Sequence, residues 1–433
     1  MDNLRLFEQL NHPNQEVRLK ELEMLVDNKS LNSSSTSFSD VNNHIHTWYS
    51  FSPYSPTKAV AMAIRAGLGT AGIMDHDSVA GVKEFIQAGR IADFPVTSGV
   101  ELRVSMKNTS VSGRRINNPD QDDIAYIALH GIPYDRLSDA EQFCRTVSRH
   151  REIRNRRMTE RINELTAKHV GPLDYDKDVL PLSKAREGGS VTERHLLFAL
   201  SERILSVYGR GKNTLRFLTD TLKIPVSRKN TAYLEDPDNP YYPYDLLGAL
   251  KSDLVEKFYI PADENECPDV AAVIDLAERI GAISAYAYLG DVYDSITGDK
   301  KAQKFEDDYL NELFGELKRL GFRAVTYMPS RNTPLQLQRI KILCNAFDFM
   351  EISGEDINSP RQNFICEALR SSELQNLVYS TYALIQHEYA AAQDRTLALF
   401  STETIAKYPD LNQRIRLYAR QFLDRHKKGG TLC

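Results

Sequence analysis

Short apolar runs alternating with helical stretches predict an α/β protein on a parallel sheet, closed as a barrel or open and doubly wound. Three observations carry this. Thr70–Met74, Pro95–Val100, Ile124–Leu129, Ile283–Tyr288 and Phe349–Ser353 each have strand length and a polar boundary. Helical patterns at 58–66, 80–91, 303–320 and 335–346 fall between such runs. The 433 residues suffice for one large barrel-type domain or two ordinary ones.

Taken in order, residues 1–31 read as one or two amphipathic helices, because Leu4, Phe7, Leu10, Val17, Leu19, Leu22 and Leu25 recur at helical spacing. The polar tract Asn32–Ser37 follows as a linker. The helix over 58–66 ends at Gly67, a C-terminal cap. Residues 138–168 form a long charged helix. Its run from Arg149 to Arg161 is interleaved with Glu, which favours a solvated face with i,i+4 pairs over an RNA surface. Residues 371–426 are mostly helical. The expected organisation is a helical extension and linker over 1–37, an α/β body over 38–368 and a helical extension over 369–433.

Composition narrows the function. Lys plus Arg is 54 and Asp plus Glu is 59, so the net charge is −5 and there is no chain-wide basic field for duplex nucleic acid. No apolar run is long enough to span a membrane, and the N-terminal stretch lacks the apolar core of a secretory signal. The five cysteines are odd in number, far apart and without C-x-x-C. That favours thiols in a reducing cytoplasm over disulfides or a thiolate zinc site. Gly209-Arg210-Gly211-Lys212 lacks the spacing of a phosphate loop and reads as a turn.

Polar residues at strand ends carry the chemistry. His44 and His46 lie two apart, on one face of a strand. Asp75, His76 and Asp77 follow the second strand, Glu101 the third and His130 the fourth; Asp356 follows the last. In a parallel barrel such ends converge on one rim, where active sites lie. Singly, each has an ordinary reading, since acids after strands often cap the next helix. Together, imidazoles and carboxylates suit a divalent ion such as Mn, Fe or Zn, which makes bound water acidic.

His44-Ile45-His46, then Asp75-His76-Asp77-Ser78-Val79-Ala80-Gly81-Val82, then Gly99-Val100-Glu101, then Leu129-His130-Gly131 resemble the PHP (polymerase and histidinol phosphatase) family. The similarity is strongest to its nucleoside-bisphosphate phosphatase and exoribonuclease branch and runs over about residues 40–360. It implies a distorted (β/α)7 barrel, TIM-like, with up to three metal ions and hydrolysis of phosphoesters by metal-activated water. It assigns His44, His46, Glu101 and Asp356 to one metal position. A second shares Glu101 and adds His130, but its late histidine is replaced by Tyr288. A third keeps His76, while its partners fall at Phe51 or Ser52 and at Asn358. His195 matches a histidine that faces the substrate, in the context Thr192-Glu193-Arg194.

One or two ions, Mn, Zn or Fe, are therefore expected. His195 is the expected catalytic residue, and Arg194, Arg331, Arg361 and Asn358 the expected substrate contacts. Arginine suits phosphate because its planar fork binds two oxygens. The expected activity is hydrolysis of a small phosphorylated substrate or a short nucleic-acid end in the cytoplasm. The alternative is a PHP-derived binding protein whose degraded cluster has lost turnover. Amidohydrolases also open with H-x-H, but the D-H-D and Glu101 spacings fit PHP better.

Overall fold

A computed structural model describes residues 3–31, 38–292 and 303–427. The tract read as a linker, 32–37, lies outside the described residues, as does Cys433. Nine strands are found among the described residues, in a sheet of three and a sheet of six. They are β1 Val41–Ile45, β2 Thr70–Ile73, β3 Asp75–His76, β4 Val96–Thr97, β5 Gly99–Ser105, β6 Ile124–His130, β7 Ile283–Ala287, β8 Ala324–Tyr327 and β9 Met350–Ser353.

The two sheets are one ring. β2 runs into β3 and β4 into β5, each pair forming one stave broken by a single residue. The order is β1, β2–β3, β4–β5, β6, β7, β8, β9. The ring returns to its start where Ile357 bridges Ile45: His46 N donates to Ile357 O at 2.9 Å and Ile357 N to His44 O at 3.1 Å. Along β1 and β5 every residue is buried, polar ones included, as in a sheet covered on both faces.

One stave runs against the others. β6 is antiparallel to β5 and to β7, whereas the remaining pairings are parallel. This corrects the expectation that all strand ends share one rim. His130 pairs opposite Gly99 and Ile283, so the end of β6 lies at the start of its neighbours. Glu101 also departs from expectation: it is the third residue of β5, at the level of His76.

Helices cover the ring. Pro56–Ala66 shows why they start and stop where they do: Ser55 caps it by accepting from Lys58 N, and Gly67 ends it at φ 94°, a left-handed conformation that glycine adopts without cost. Between β6 and β7 the chain leaves the ring for a helical insert. Leu137–Val170, Glu193–Tyr208 and Tyr242–Phe258 enclose a second core around Leu196, Leu200, Leu246, Leu250 and Phe258. The N-terminal helices, Asn3–Gln9 and Gln15–Asp27, and the C-terminal helix Gln375–Gln393 pack into the main core through Leu10, Leu22, Leu25, Leu377 and Leu384.

Candidate metal centre

β1 carries the first ligand candidate, His44, on its buried inner face. Asn42 fixes that strand by accepting from His44 N at 2.9 Å and from Glu355 N at 3.0 Å. Gly354 leaves room: a Cβ there would lie 2.5 Å from the His44 Cβ.

His46 follows in a loop held by buried Asp75. Asp75 accepts from Thr47 N at 2.7 Å, Thr47 Oγ1 at 2.6 Å and Ser50 Oγ at 2.6 Å. Ser50 spends its proton on Asp75, so at 3.1 Å it accepts from His46 Nδ1. That fixes the tautomer and leaves the Nε2 lone pair open, as a metal-ligating histidine needs. Burial, then His76, pushes His46 below the usual imidazole range, which keeps it neutral.

The remaining donors gather around these two. Oxygens and ring nitrogens of His44, His46 and Glu101 lie within 4.8 Å of one another. Glu101 Oε2 is 2.7 Å from His76 Nδ1 and 3.8 Å from His44 Nε2. His46 Nε2 is 3.1 Å from Asp356 Oδ1. With Nδ1 carrying the proton, that last pair is two lone-pair atoms face to face, an arrangement a cation satisfies. Burial opposes ionisation of Glu101, but His76 and His44 outweigh it and hold the carboxyl well below its usual range. Burial works against protonating His44 and Glu101 overcomes it, so His44 is raised.

His130 comes from the opposite direction on antiparallel β6. It is buried, and neither ring nitrogen has a hydrogen-bond partner. Burial and then His44 push it down to about 3, so it is a neutral imidazole with an unspent lone pair. Buried polar atoms without partners are costly, and a ligated ion is one way to satisfy them. The donor set therefore fits a divalent cation of the Mn, Fe or Zn type.

These residues form one wall of a cleft of about 1180 Å³, counting the space open to solvent. His44, His76, Glu101 and Asp356 line it. Facing them are Arg194 and Lys251 from the insert, Arg331 after β8, and Tyr126. Asn358 also lines the cleft, and its Nδ2 donates to Asp356 Oδ1 at 2.6 Å, aiming that carboxylate.

Two expected residues are engaged elsewhere. Arg361 is not on the cleft wall. Its guanidinium grips Asp245 at 2.7 and 2.8 Å and lies 3.7 Å from the centre of the Tyr233 ring, clamping the insert to the barrel. His195 is buried beside the cleft. Its Nδ1 accepts from Thr192 N at 3.0 Å in a capping box that opens the helix Glu193–Tyr208. Its ring meets the Phe51 ring edge-on at 5.0 Å. Burial and then Arg151 push it down to about 3.

The replaced ligand positions have their own partners. Tyr288 lines the cleft but donates its hydroxyl to Asp307 Oδ1 at 2.6 Å. Phe51, at φ 117°, turns into an aromatic group with Phe198 and Tyr244. Positive φ is strained for a bulky side chain, and the packing of that ring offsets the strain.

The arginine run on Leu137–Val170 is only in part the solvated face the sequence suggested: Arg149, Arg157 and Arg161 are exposed. Arg156 does pair with Glu152, but Arg151 and Arg154 are buried. With Arg103 they form a closed ionic network with Asp77, Glu193 and Glu266. Arg151 and Glu193 reach the cleft wall. Periodicity carried the signal: Ala140, Cys144, Val147, Arg151, Arg154 and Met158 share one buried stripe.

The PHP domain family model matches residues 42–200. A crystal structure described as a metal-dependent phosphoesterase from Bifidobacterium adolescentis is similar at 19% identity and a TM-score of 0.49, over 80% of this chain and 97% of that one. An amidohydrolase from Chromobacterium violaceum, with sulfate bound and no metal, is similar at 14% identity and a TM-score of 0.48, over 75% of this chain and 89% of that one. No curated protein matches the chain. The stretch that matches the PHP domain model, residues 42–200, carries His44, His46, His76, Glu101, His130 and Arg194.

Proposed function

We propose that this protein is a metal-dependent phosphoesterase acting on a small phosphorylated substrate or a short nucleic-acid end. One observation carries the reading: buried His44, His46 and Glu101, with half-buried Asp356 against His46, adjoin a cleft that also holds Arg194 and Arg331. His44, His46, Glu101 and Asp356 would hold a cation, with His130 and His76 beside it. A divalent ion there would supply Lewis acidity, polarising a phosphoryl oxygen and making water acidic near neutral pH.

The chain's own residues do the rest. Asp75 and Ser50 hold His46 in the tautomer that presents Nε2. Asn358 orients Asp356. Arg194 and Arg331 supply planar forks for the phosphate oxygens and raise the local anion concentration. His195 supports this wall through the helix it caps, and we assign it that role rather than proton transfer.

A second reading is a binding protein that has lost turnover. It is favoured by Tyr288, Phe51 and Asn358 at positions where family ligands are expected, each with another partner. Assay of p-nitrophenyl phosphate, a nucleoside bisphosphate and a 5′-labelled oligonucleotide with Mn separates the two. Phosphate release that vanishes in His44→Ala and Asp356→Ala supports the phosphoesterase. Tight metal binding without turnover on any ester supports the second reading.

A further inference from the structure

The loop after β1 presents His46, and it is held from three directions. On the barrel side Asp75 takes Thr47 and Ser50. On the insert side Phe51 packs against Phe198 and Tyr244. The third hold comes from the two N-terminal helices, more than thirty residues away in sequence from much of what they touch.

Asn11, between those helices, reads the loop's far end with both atoms of its amide. Its Nδ2 donates to Pro53 O at 2.8 Å and its Oδ1 accepts from Ser55 N at 2.9 Å. Ser55 Oγ in turn donates to Leu10 O. Arg18, on the helix Gln15–Asp27, is 2% exposed. It makes a two-pronged pair with buried Glu84, Nε to Oε1 at 2.8 Å and Nη2 to Oε2. It also donates to His12 O at 2.6 Å and Pro13 O at 2.9 Å. Glu84 Oε1 accepts from Thr57 Oγ1 at 2.7 Å, just past the loop.

The same guanidinium lies 4.7 Å from the centre of the Trp48 ring, two residues from His46. Lys184 lies 4.7 Å from that ring as well. Trp48 N donates to Tyr54 O at 2.9 Å, closing the loop on itself. Cations over an indole face are held by its quadrupole, more strongly when desolvated. A buried arginine held by a carboxylate and two carbonyls presents a fixed, preorganised cation to such a contact.

We propose that Arg18 is a positioning residue of the metal centre: through Glu84 and Trp48, the N-terminal helices set the loop that presents His46. This rests on the metal-centre reading above. The N-terminal segment is then part of the site's support, and a ligand held to within about half an ångström needs such support.

The test uses the full chain. Arg18→Met keeps length and removes the charge and the fork; Arg18→Lys restores charge alone; Lys20→Ala, on the exposed face of the same helix, is the control. Two readouts are taken: hydrogen exchange at the Trp48, Ser50 and Phe51 amides of metal-free protein, and calorimetric titration with Mn(II). Arg18→Met is expected to speed exchange at those amides and weaken Mn binding, each about ten-fold. Arg18→Lys should recover part of both, and Lys20→Ala should match the parent.

A merely structural Arg18 would lower Tm yet leave exchange in the loop and Mn affinity of the folded protein unchanged, and that result overturns the proposal. If Arg18→Met does not fold, Asn11→Ala decides. It is expected to weaken Mn binding about three-fold, and no change overturns the proposal. A parent protein that binds no Mn sinks this inference and the metal-centre reading together. Mn binding without ester hydrolysis sinks the phosphoesterase alone.

Discussion

Glu266 offers a perturbation whose size can be worked from the structure. It is 1% exposed and lies between Arg103 of β5 and Arg154 of the insert. Arg154 Nε reaches its Oε2 at 2.6 Å and Nη2 its Oε1 at 2.8 Å. Burial raises its pKa, but Arg103 and Arg154 overcome that and keep it ionised. Arg103, Arg151 and Arg154 face Asp77, Glu193 and Glu266, so the charges balance. Glu266→Gln leaves three buried cations with two anions. Removing one partner of such a group costs about 3–5 kcal/mol. At about 2.1 cal/mol/K per residue, 433 residues give an unfolding entropy of about 0.9 kcal/mol/K, so Tm should fall by about 4 °C. Scanning calorimetry of metal-free protein measures it. Pairing Glu266→Leu with Arg103→Met should recover part of the loss, because a buried pair is often replaceable by packed apolar groups although half of it is not. A Glu266→Gln protein melting within about 1 °C of the parent would refute the view that this network bonds insert to barrel.

Further outcomes follow from the same contacts. Asn358→Ala removes the hydrogen bond that aims Asp356, so Mn affinity by calorimetry should fall about ten-fold or more while Tm stays nearly constant. Arg331→Ala should raise KM for a phosphate ester with little change in Tm, whereas Arg361→Ala should lower Tm and leave KM nearly unchanged, because Arg331 lines the cleft and Arg361 holds Asp245. His387 is pushed down by burial to about 4 from an ordinary 6.5. Its contribution to stability is therefore complete above pH 6.5 and lost as pH falls towards 4. By linkage, about 2 kcal/mol is lost between pH 6.5 and 5. Urea unfolding of His387→Gln should show that much less acid sensitivity. Its neighbour Glu388, pushed up by burial to about 8, has the opposite sign: stability falls as pH rises from 4.5 through 8.

Much of the ring was legible because its strands are apolar, short and bounded by polar residues. β8, Ala324–Tyr327, was not read, although β2 and β9 are equally short. The direction of β6 was not either, because local sequence does not encode which way a strand runs beside its neighbours. The helical insert read only as a charged helix, since its core forms from residues far apart, such as Leu196 and Phe258. The gathering of His44, His46 and Glu101 was legible because histidine and glutamate in that motif spacing have few other uses. The partners of Arg361 and His195, Asp245 and Thr192, were not, because sequence does not show which distant group an arginine or histidine near a site will hold. Tyr288 and Phe51 illustrate the converse: a departure from an expected motif is visible in sequence, but the partners of the residue found there, Asp307 and the aromatic group, are not.

The central claim is that His44, His46, Glu101 and Asp356 surround one cation. Crystals grown with Mn(II), measured at its absorption edge, test it directly. An anomalous peak within bonding distance of His44 Nε2, His46 Nε2, a Glu101 oxygen and an Asp356 oxygen, lost in His46→Ala crystals, is the predicted result. A map with no peak among these side chains, or with Mn bound only elsewhere, would contradict it.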